Sequence, residues 1–219
     1  TLPVASAQVK SCVLFAGIFA HGVTTVIEGM RTRDHSELAL REFGAEVEVR
    51  RGAISITGRP HLQARELTVP GDISAAAFLL SAAQIVPESN ITIRGVGLNP
   101  TRSSLLDFLA AMGADIKVLD MVQSGGEVSG DLQVRKSRIR GGVLEGEMAA
   151  ALMDEIPVLS VLGAISEDGL KVRDAAELRV KETDRIATIA ENFRRMGVAI
   201  EVLPDGFNIP GRQKFHAAE

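Results

Sequence analysis

The residues best suited to chemistry are concentrated in Leu178-Arg179-Val180-Lys181-Glu182-Thr183-Asp184-Arg185. Lys181, Glu182 and Arg185 lie where a strand-like run gives way to an amphipathic helix, which is one way to present a proton-transfer carboxylate beside an anion clamp. Glu182, flanked by Lys181 and Arg185, is expected to stay ionised and to exchange a proton when a substrate alters its surroundings. Arg185, one turn further on, can grip a carboxylate or phosphate through two parallel bonds. Thr and Asp also cap ordinary surface helices, so a solvated helix start is the competing reading of the same stretch. Asp154 stands at the mouth of the apolar run 156–165. A carboxylate buried there must be paired, and Lys181 is its expected partner. Ser6, Ala7 and Gln8 open another apolar run and offer a hydroxyl and an amide, while Arg31 and Arg33 add charge-matched forks. Such helix starts can cap themselves, or present free N–H groups to a phosphate or carboxylate.

The elements that position these residues repeat. A run from Ser6 to Gly22 is apolar almost all round, which marks a shielded helix. Cys12 sits in it and is expected to be a buried, inert thiol. A β-branched strand at 23–27, an amphipathic helix at 34–43 ended by Gly44, and strands at 47–50 and 54–56 follow. The same order restarts at Asp72, with its helix ended by Gly113, and again near Asp154, with its helix ended by Gly197. Each unit therefore needs one helix covered on all sides. The simplest arrangement puts those helices in the middle, an inside-out α/β globule. Leu67-Thr68-Val69-Pro70-Gly71-Asp72 joins the first copy to the second and carries the linker signal Pro-Gly.

Composition narrows the classes. The chain has 219 residues, 46% hydrophobic and 24% charged, with net charge −4, which suits soluble domains with real cores. No basic excess is present, Trp and Tyr are absent, and nucleic acid is not an expected partner. One Cys excludes an internal disulfide, and the four His show no metal-ligand spacing. No apolar run reaches membrane-spanning length. The opening Thr1-Leu2-Pro3 and the closing Ala217-Ala218-Glu219 read as the ends of a piece of a longer protein.

Together, Pro3-Val4-Ala5-Ser6-Ala7-Gln8-Val9-Lys10-Ser11, Arg33-Asp34-His35-Ser36-Glu37, Val69-Pro70-Gly71-Asp72-Ile73-Ser74, Met153-Asp154-Glu155-Ile156-Pro157 and Leu178 to Arg185 resemble the EPSP synthase (3-phosphoshikimate 1-carboxyvinyltransferase) family, in order and along the full length. The Ser-Ala-Gln and Arg-Asp-His-Ser-Glu forms are similar to the bacterial branch called class II, some of whose members tolerate glyphosate. The resemblance implies an inside-out α/β barrel-like fold of repeated βαβαββ units, in two domains joined by a hinge. Residues 1–67 would be about one unit of the N-terminal domain, and 68–219 two units of the C-terminal domain. It implies transfer of the enolpyruvyl group of phosphoenolpyruvate to the 5-hydroxyl of shikimate 3-phosphate, without a metal or organic cofactor, in the cytoplasm. Ser6, Ala7, Gln8, Arg33 and Lys181 would hold shikimate 3-phosphate, with Ser6 chiefly at its phosphate. Asp154 would accept the 5-hydroxyl proton, Glu182 would work at the phosphoenolpyruvate methylene, and Gln8 and Arg185 would face phosphoenolpyruvate.

The family's N-terminal Lys-Ser with its Arg, its Gly-rich loop and its C-terminal Asp-His-Arg motif are not in the chain. Negligible turnover by the isolated chain is therefore expected, as is self-association through uncovered apolar faces, whereas the full-length enzyme would be a monomer with glyphosate as a candidate inhibitor. The rival UDP-N-acetylglucosamine enolpyruvyl transferase uses a loop Cys in many members, and Cys12 lies instead in a helix. A non-catalytic anion-binding fragment is the rival from another class.

Overall fold

The computed structural model describes residues 1–218 of the chain. The first repeat runs α1 (Ala7–Phe19), β1 (Val23–Ile27), α2 (His35–Glu42), β2 (Val47–Arg50) and β3 (Ala53–Thr57). The second runs α3 (Ile73–Ile85), β4 (Asn90–Gly97), α4 (Ser104–Ala111), β5 (Asp115–Ser124) and β6 (Glu127–Arg135). A short strand β7 (Gly142–Leu144) and helix α5 (Gly146–Ala151) precede the third: α6 (Ile156–Ile165), β8 (Leu170–Val172), a 3-10 turn at Ala176–Val180, α7 (Arg185–Arg195), β9 (Glu201–Leu203) and β10 (Gly206–Ile209). The order helix, strand, helix, strand, strand thus occurs three times, as the sequence pattern implies. In each copy the last strand returns to the middle of its sheet, giving the orders β1-β3-β2, β4-β6-β5 and β7-β8-β10-β9. The central strands β3 and β10 pair antiparallel with both neighbours.

The amphipathic helices stop where expected, because Gly44, Gly113 and Gly197 take φ of 93°, 96° and 79°, the left-handed region that a β-carbon disfavours. β7 and α5 are not anticipated from the sequence: they are short, and glycines at 141, 142 and 146 interrupt any apolar period. β7 pairs parallel with β8. The stretch before Lys181 also differs, since Arg179 and Val180 end a 3-10 turn rather than follow a strand directly.

The described chain divides into two compact units. The first holds Thr1–Pro70, Gly97–Thr101 and Met121–Ser129; the second holds Gly71–Val96, Arg102–Asp120 and the chain from Gly130 onward. Segments 97–101 and 121–129, which the sequence reading assigns to the second domain, therefore belong with the first unit. The cause is a polar knot around Asn99, which is only 2% exposed. Its Nδ2 donates to Asp34 Oδ1 at 2.8 Å and to Glu127 Oε2 at 3.0 Å, and its Oδ1 accepts from the Thr101 amide at 2.8 Å. Leu98 N–H donates to the Val128 carbonyl at 2.8 Å. Burial alone would raise the Asp34 carboxyl, but hydrogen bonds from Asn99, Arg31 and Thr101 outweigh it and hold it below the usual range. Because the folded carboxyl titrates below the unfolded one, its stabilising contribution is complete above about pH 4 and is lost as pH falls through the folded value. Urea midpoints between pH 2.5 and 6 test this: the acid limb should be shallower for Asp34→Asn than for the unaltered chain.

In the first unit Leu14, Val26, Leu40, Ala45, Ile54 and Ile56 form the core. Helix α1 turns Lys10, Leu14 and Gly17 inward, at helical spacing. Gly17 lets the sheet come close, since a β-carbon there would lie 2.8 Å from Ile56 Cγ2. The opposite face is open. Val9, Phe15 and Phe19 are 48%, 47% and 81% exposed, and Cys12 is exposed as well. The expectation of an all-round buried α1 and a buried Cys12 is thus corrected: with one helix on one sheet, only one face is covered. In the second unit α3 and α6 pack on each other, and α6 is the more fully enclosed. Phe78 and Leu79 of α3 remain 64% and 53% exposed.

Candidate active-site residues

In the second unit part of the charged stretch is a capped helix start, as one reading of its sequence expects. Asp184 is the N-cap of α7, accepting from the Ala187 amide at 2.9 Å. That amide first, and Arg179 after the opposing effect of desolvation, keep its carboxyl below the ordinary range. Arg179 also donates to the carbonyls of Leu203 and Pro204 at 2.6 Å each, so it ties the β9–β10 turn to the start of α7. Thr183 is exposed. Capping and bracing by Asp184 and Arg179 leave Glu182 and Arg185 to other partners.

Arg185 Nη2 donates to Glu182 Oε2 at 2.8 Å and its Nη1 to Asp154 Oδ1 at 3.3 Å. One guanidinium thus bridges the two carboxylates expected to move protons. Glu182 is held below the usual carboxylate range by its own backbone amide first and by Arg185 next. The same bond to Glu182 raises Arg185. Asp154 is not buried, since its side chain is 46% exposed, and its partner is not Lys181. Lys181 Nζ instead pairs with Glu177, one turn back along the 3-10 segment. The turn preceding α7 points Lys181 toward its own segment, a local preference that an assumed strand-to-helix junction would not include.

The sequence reading passes over one further group here. Arg102, from the loop after β4, donates to Asp72 Oδ1 at 3.4 Å and lies 4.0 Å from Asp154 Oδ2. Asp72 caps α3, accepting from the Ser74 amide at 3.2 Å. Ser74 Oγ in turn donates to Glu155, which is 3% exposed. The available signal is positional: Arg33 and Arg102 each stand two residues before the amphipathic helix of their repeat, α2 and α4.

In the first unit Ser6 caps α1, accepting from the Val9 amide at 3.3 Å. Ala7 is half-buried and Gln8 exposed at the same helix start. Arg33 is half-buried, and its side chain has no hydrogen-bond partner among the described residues, whereas Arg31 pairs with Asp34 at 3.0 Å. One turn into α1, Lys10 is fully buried and pairs with Glu37 at 2.8 Å and Glu28 at 3.2 Å. A cavity of about 350 Å³ is lined by Glu28, Thr32, Asp34 and Glu37 among others, but by none of Ser6, Ala7, Gln8 and Arg33. No group of His, Cys, Asp and Glu able to hold a metal occurs among the described residues, and none of their helices is long and apolar enough to cross a membrane.

Structural comparison places this repeat architecture among enolpyruvyl transferases. The EPSP synthase of Acinetobacter baumannii matches with a TM-score of 0.90 at 39% identity, over 97% of this chain and 48% of that one. The enolpyruvyl transferase NikO of Streptomyces tendae shares the fold, with a TM-score of 0.66 at 21% identity, over 91% of this chain and 45% of that one. The fold is therefore the one these two enzymes share. The EPSP synthase (3-phosphoshikimate 1-carboxyvinyltransferase) family model matches residues 1–219, and the chain belongs to that family. A 3-phosphoshikimate 1-carboxyvinyltransferase of Solibacter usitatus is 61% identical over 219 residues, all of this chain and 51% of the relative. The chain spans about half the length of the curated relatives it matches.

Proposed function

We propose that the chain serves the transfer of the enolpyruvyl group of phosphoenolpyruvate to the 5-hydroxyl of shikimate 3-phosphate, with release of phosphate. The observation that carries this reading is the bridging of Asp154 and Glu182 by Arg185, in a chain of this family. In the first step the 5-oxygen bonds to C2 of phosphoenolpyruvate and a proton is added at its C3 methylene. In the second, the same carbon loses a proton as the C2–O bond to phosphate breaks. Asp154 takes the hydroxyl proton and Glu182 gives and recovers the proton at C3, general acid–base roles that two differently placed carboxylates can divide. Arg185 grips phosphoenolpyruvate, exchanging its carboxylate partners for the substrate's anionic groups, and Gln8 faces the same substrate. Ser6, Ala7, Gln8, Arg33 and Lys181 hold shikimate 3-phosphate. By repeat, residues 1–67 represent one unit of the first domain and 68–219 two units of the second, with 97–101 and 121–129 of the second repeat grouped with the first compact unit, and the protein works in the cytoplasm. Glyphosate, an anionic small molecule, competes for the phosphoenolpyruvate groups.

A chimera tests this reading. Residues 1–219 replace the matching half of the Solibacter usitatus relative, and phosphate release is followed with each substrate omitted in turn. The expected result is turnover that needs both phosphoenolpyruvate and shikimate 3-phosphate, does not accept UDP-N-acetylglucosamine, and is negligible for the 219-residue chain by itself. A folded chimera that releases no phosphate would overturn the assignment.

A further inference from the structure

We infer that Arg102 is a positioning residue for Asp154, taking over its charge compensation when Arg185 turns to a substrate anion; this rests on the function proposed above. The two oxygens of Asp154 face different guanidinium groups, Oδ1 toward Arg185 at 3.3 Å and Oδ2 toward Arg102 at 4.0 Å. Their environments differ. Arg185 starts α7 and also carries Glu182 at 2.8 Å, a carboxylate whose side chain is 78% exposed. It is the more readily redirected of the two. Arg102 is anchored: its side chain is only 16% exposed, and its other nitrogen donates to Asp72, itself fixed as the cap of α3. Asp72 in turn accepts from the Ser74 amide in the first turn of that helix.

An anion gripped across both Nη atoms of Arg185 displaces Asp154 and Glu182, the carboxylates that those two atoms now hold. When Arg185 engages a carboxylate or phosphate, Asp154 would otherwise lose its only close cation. Arg102 stays, and the α3 cap fixes where it points. The repeat supplies an independent argument. Arg33 and Arg102 occupy the same place relative to α2 and α4, so the fold delivers an arginine to the start of each of these helices. In the first repeat that arginine has no partner among the described residues; in the second it is committed to two carboxylates. Arg102 therefore orients Asp154 rather than binding substrate.

The test uses two readouts. In the chimera, Arg102→Met should lower kcat about 10- to 100-fold while KM for phosphoenolpyruvate stays within about threefold, since a misplaced base costs rate rather than substrate affinity. Arg102→Lys, which keeps the charge but not the fork, should recover part of the loss. Unchanged kcat for Arg102→Met, or a loss wholly in KM, would overturn the proposal. Separately, a double-mutant cycle with Asp154→Asn in the urea unfolding of the 219-residue chain reads the pairing without turnover. Non-additive effects support it, and strictly additive ones overturn it. Failure of the unaltered chimera to turn over would instead strike the functional reading, and the unfolding cycle would still decide whether Arg102 and Asp154 are coupled.

Discussion

Lys10→Met should destabilise the first unit by about 3–5 kcal/mol, a large share of the 5–15 kcal/mol typical of a folded domain. Lys10 is fully buried and neutralises two carboxylates that are almost as buried, Glu37 at 2.8 Å and Glu28 at 3.2 Å. Methionine fills nearly the same volume, so little packing is lost and the effect isolates the charge. Glu28 keeps donors in Thr32, whose hydroxyl lies 2.7 Å from Oε2. Glu37 is worse placed, because its Oε2 is buried and has no partner among the described residues. Without the ammonium, both carboxylates are stranded in a low-dielectric core. A second variant separates charge from packing. Lys10→Met combined with Glu28→Gln and Glu37→Met removes the whole ionic cluster, and such replacements are often neutral or stabilising. Urea midpoints should therefore fall steeply for the single variant and return most of the way for the triple one. A single variant within about 0.5 kcal/mol of the unaltered chain would show that the cluster contributes nothing net.

The cluster also joins α2 to two segments that carry expected substrate contacts. Lys10 lies one turn beyond Ser6 to Gln8, Glu28 begins the loop that leads to Arg33, and Glu37 is in the first turn of α2. A sequence signal for it exists: Lys10 is the only charged residue in the apolar run from Ser6 to Gly22. A charge in a helix that otherwise has none must find partners if it faces inward, and the spacing to Leu14 and Gly17 puts it on the inner face.

What the sequence conveys most clearly is the repeat, because apolar period and helix-ending glycines are local properties. The three helix stops and the Gly125-Gly126 hairpin lie where the glycines put them. Which face of α1 is covered is not local. Residues 6–22 read the same whether one neighbour packs on them or several, and here β1 and β3 pack on the helix while α2 meets it at Lys10 and Ser11. The site is legible in part for the same reason. Glu182 and Arg185 meet because an i, i+3 spacing at a helix start brings them together. Asp154 reaches the same guanidinium from the turn before α6 of the same repeat. Arg102 comes from another repeat, where no short-range pattern in the sequence ties it to Asp154. Lys181 fails as the partner of Asp154 because the 3-10 turn before it offers Glu177 at i−4.

Glu182→Gln in the chimera should lower kcat by about 10²–10⁴-fold, with KM for phosphoenolpyruvate changed by no more than about threefold. Glutamine retains the size of the side chain and an oxygen for Arg185, so substrate binding has little reason to weaken. What it cannot do is exchange a proton with carbon, and the proposed reaction requires that twice. Glu182 rests ionised, kept there by its own amide and by Arg185. A carboxylate in that state cannot protonate the methylene of phosphoenolpyruvate. When the substrate's anionic groups claim Arg185, Glu182 loses that cation and gains nearby negative charge, and both changes favour protonation. The clamp and the acid are therefore coupled through one bond of 2.8 Å. Arg185→Lys provides the contrast: a point charge replaces a fork, so the main effect should be a raised KM for phosphoenolpyruvate. Asp154→Asn should resemble Glu182→Gln in lowering kcat, and the double variant should be no more than slightly worse than either single one, because both steps run through one intermediate. Steady-state phosphate release across a range of phosphoenolpyruvate concentrations measures all four variants against the unaltered chimera. If Glu182→Gln retains kcat within about threefold, the proton at C3 is not moved by Glu182, and its bond to Arg185 is structural alone.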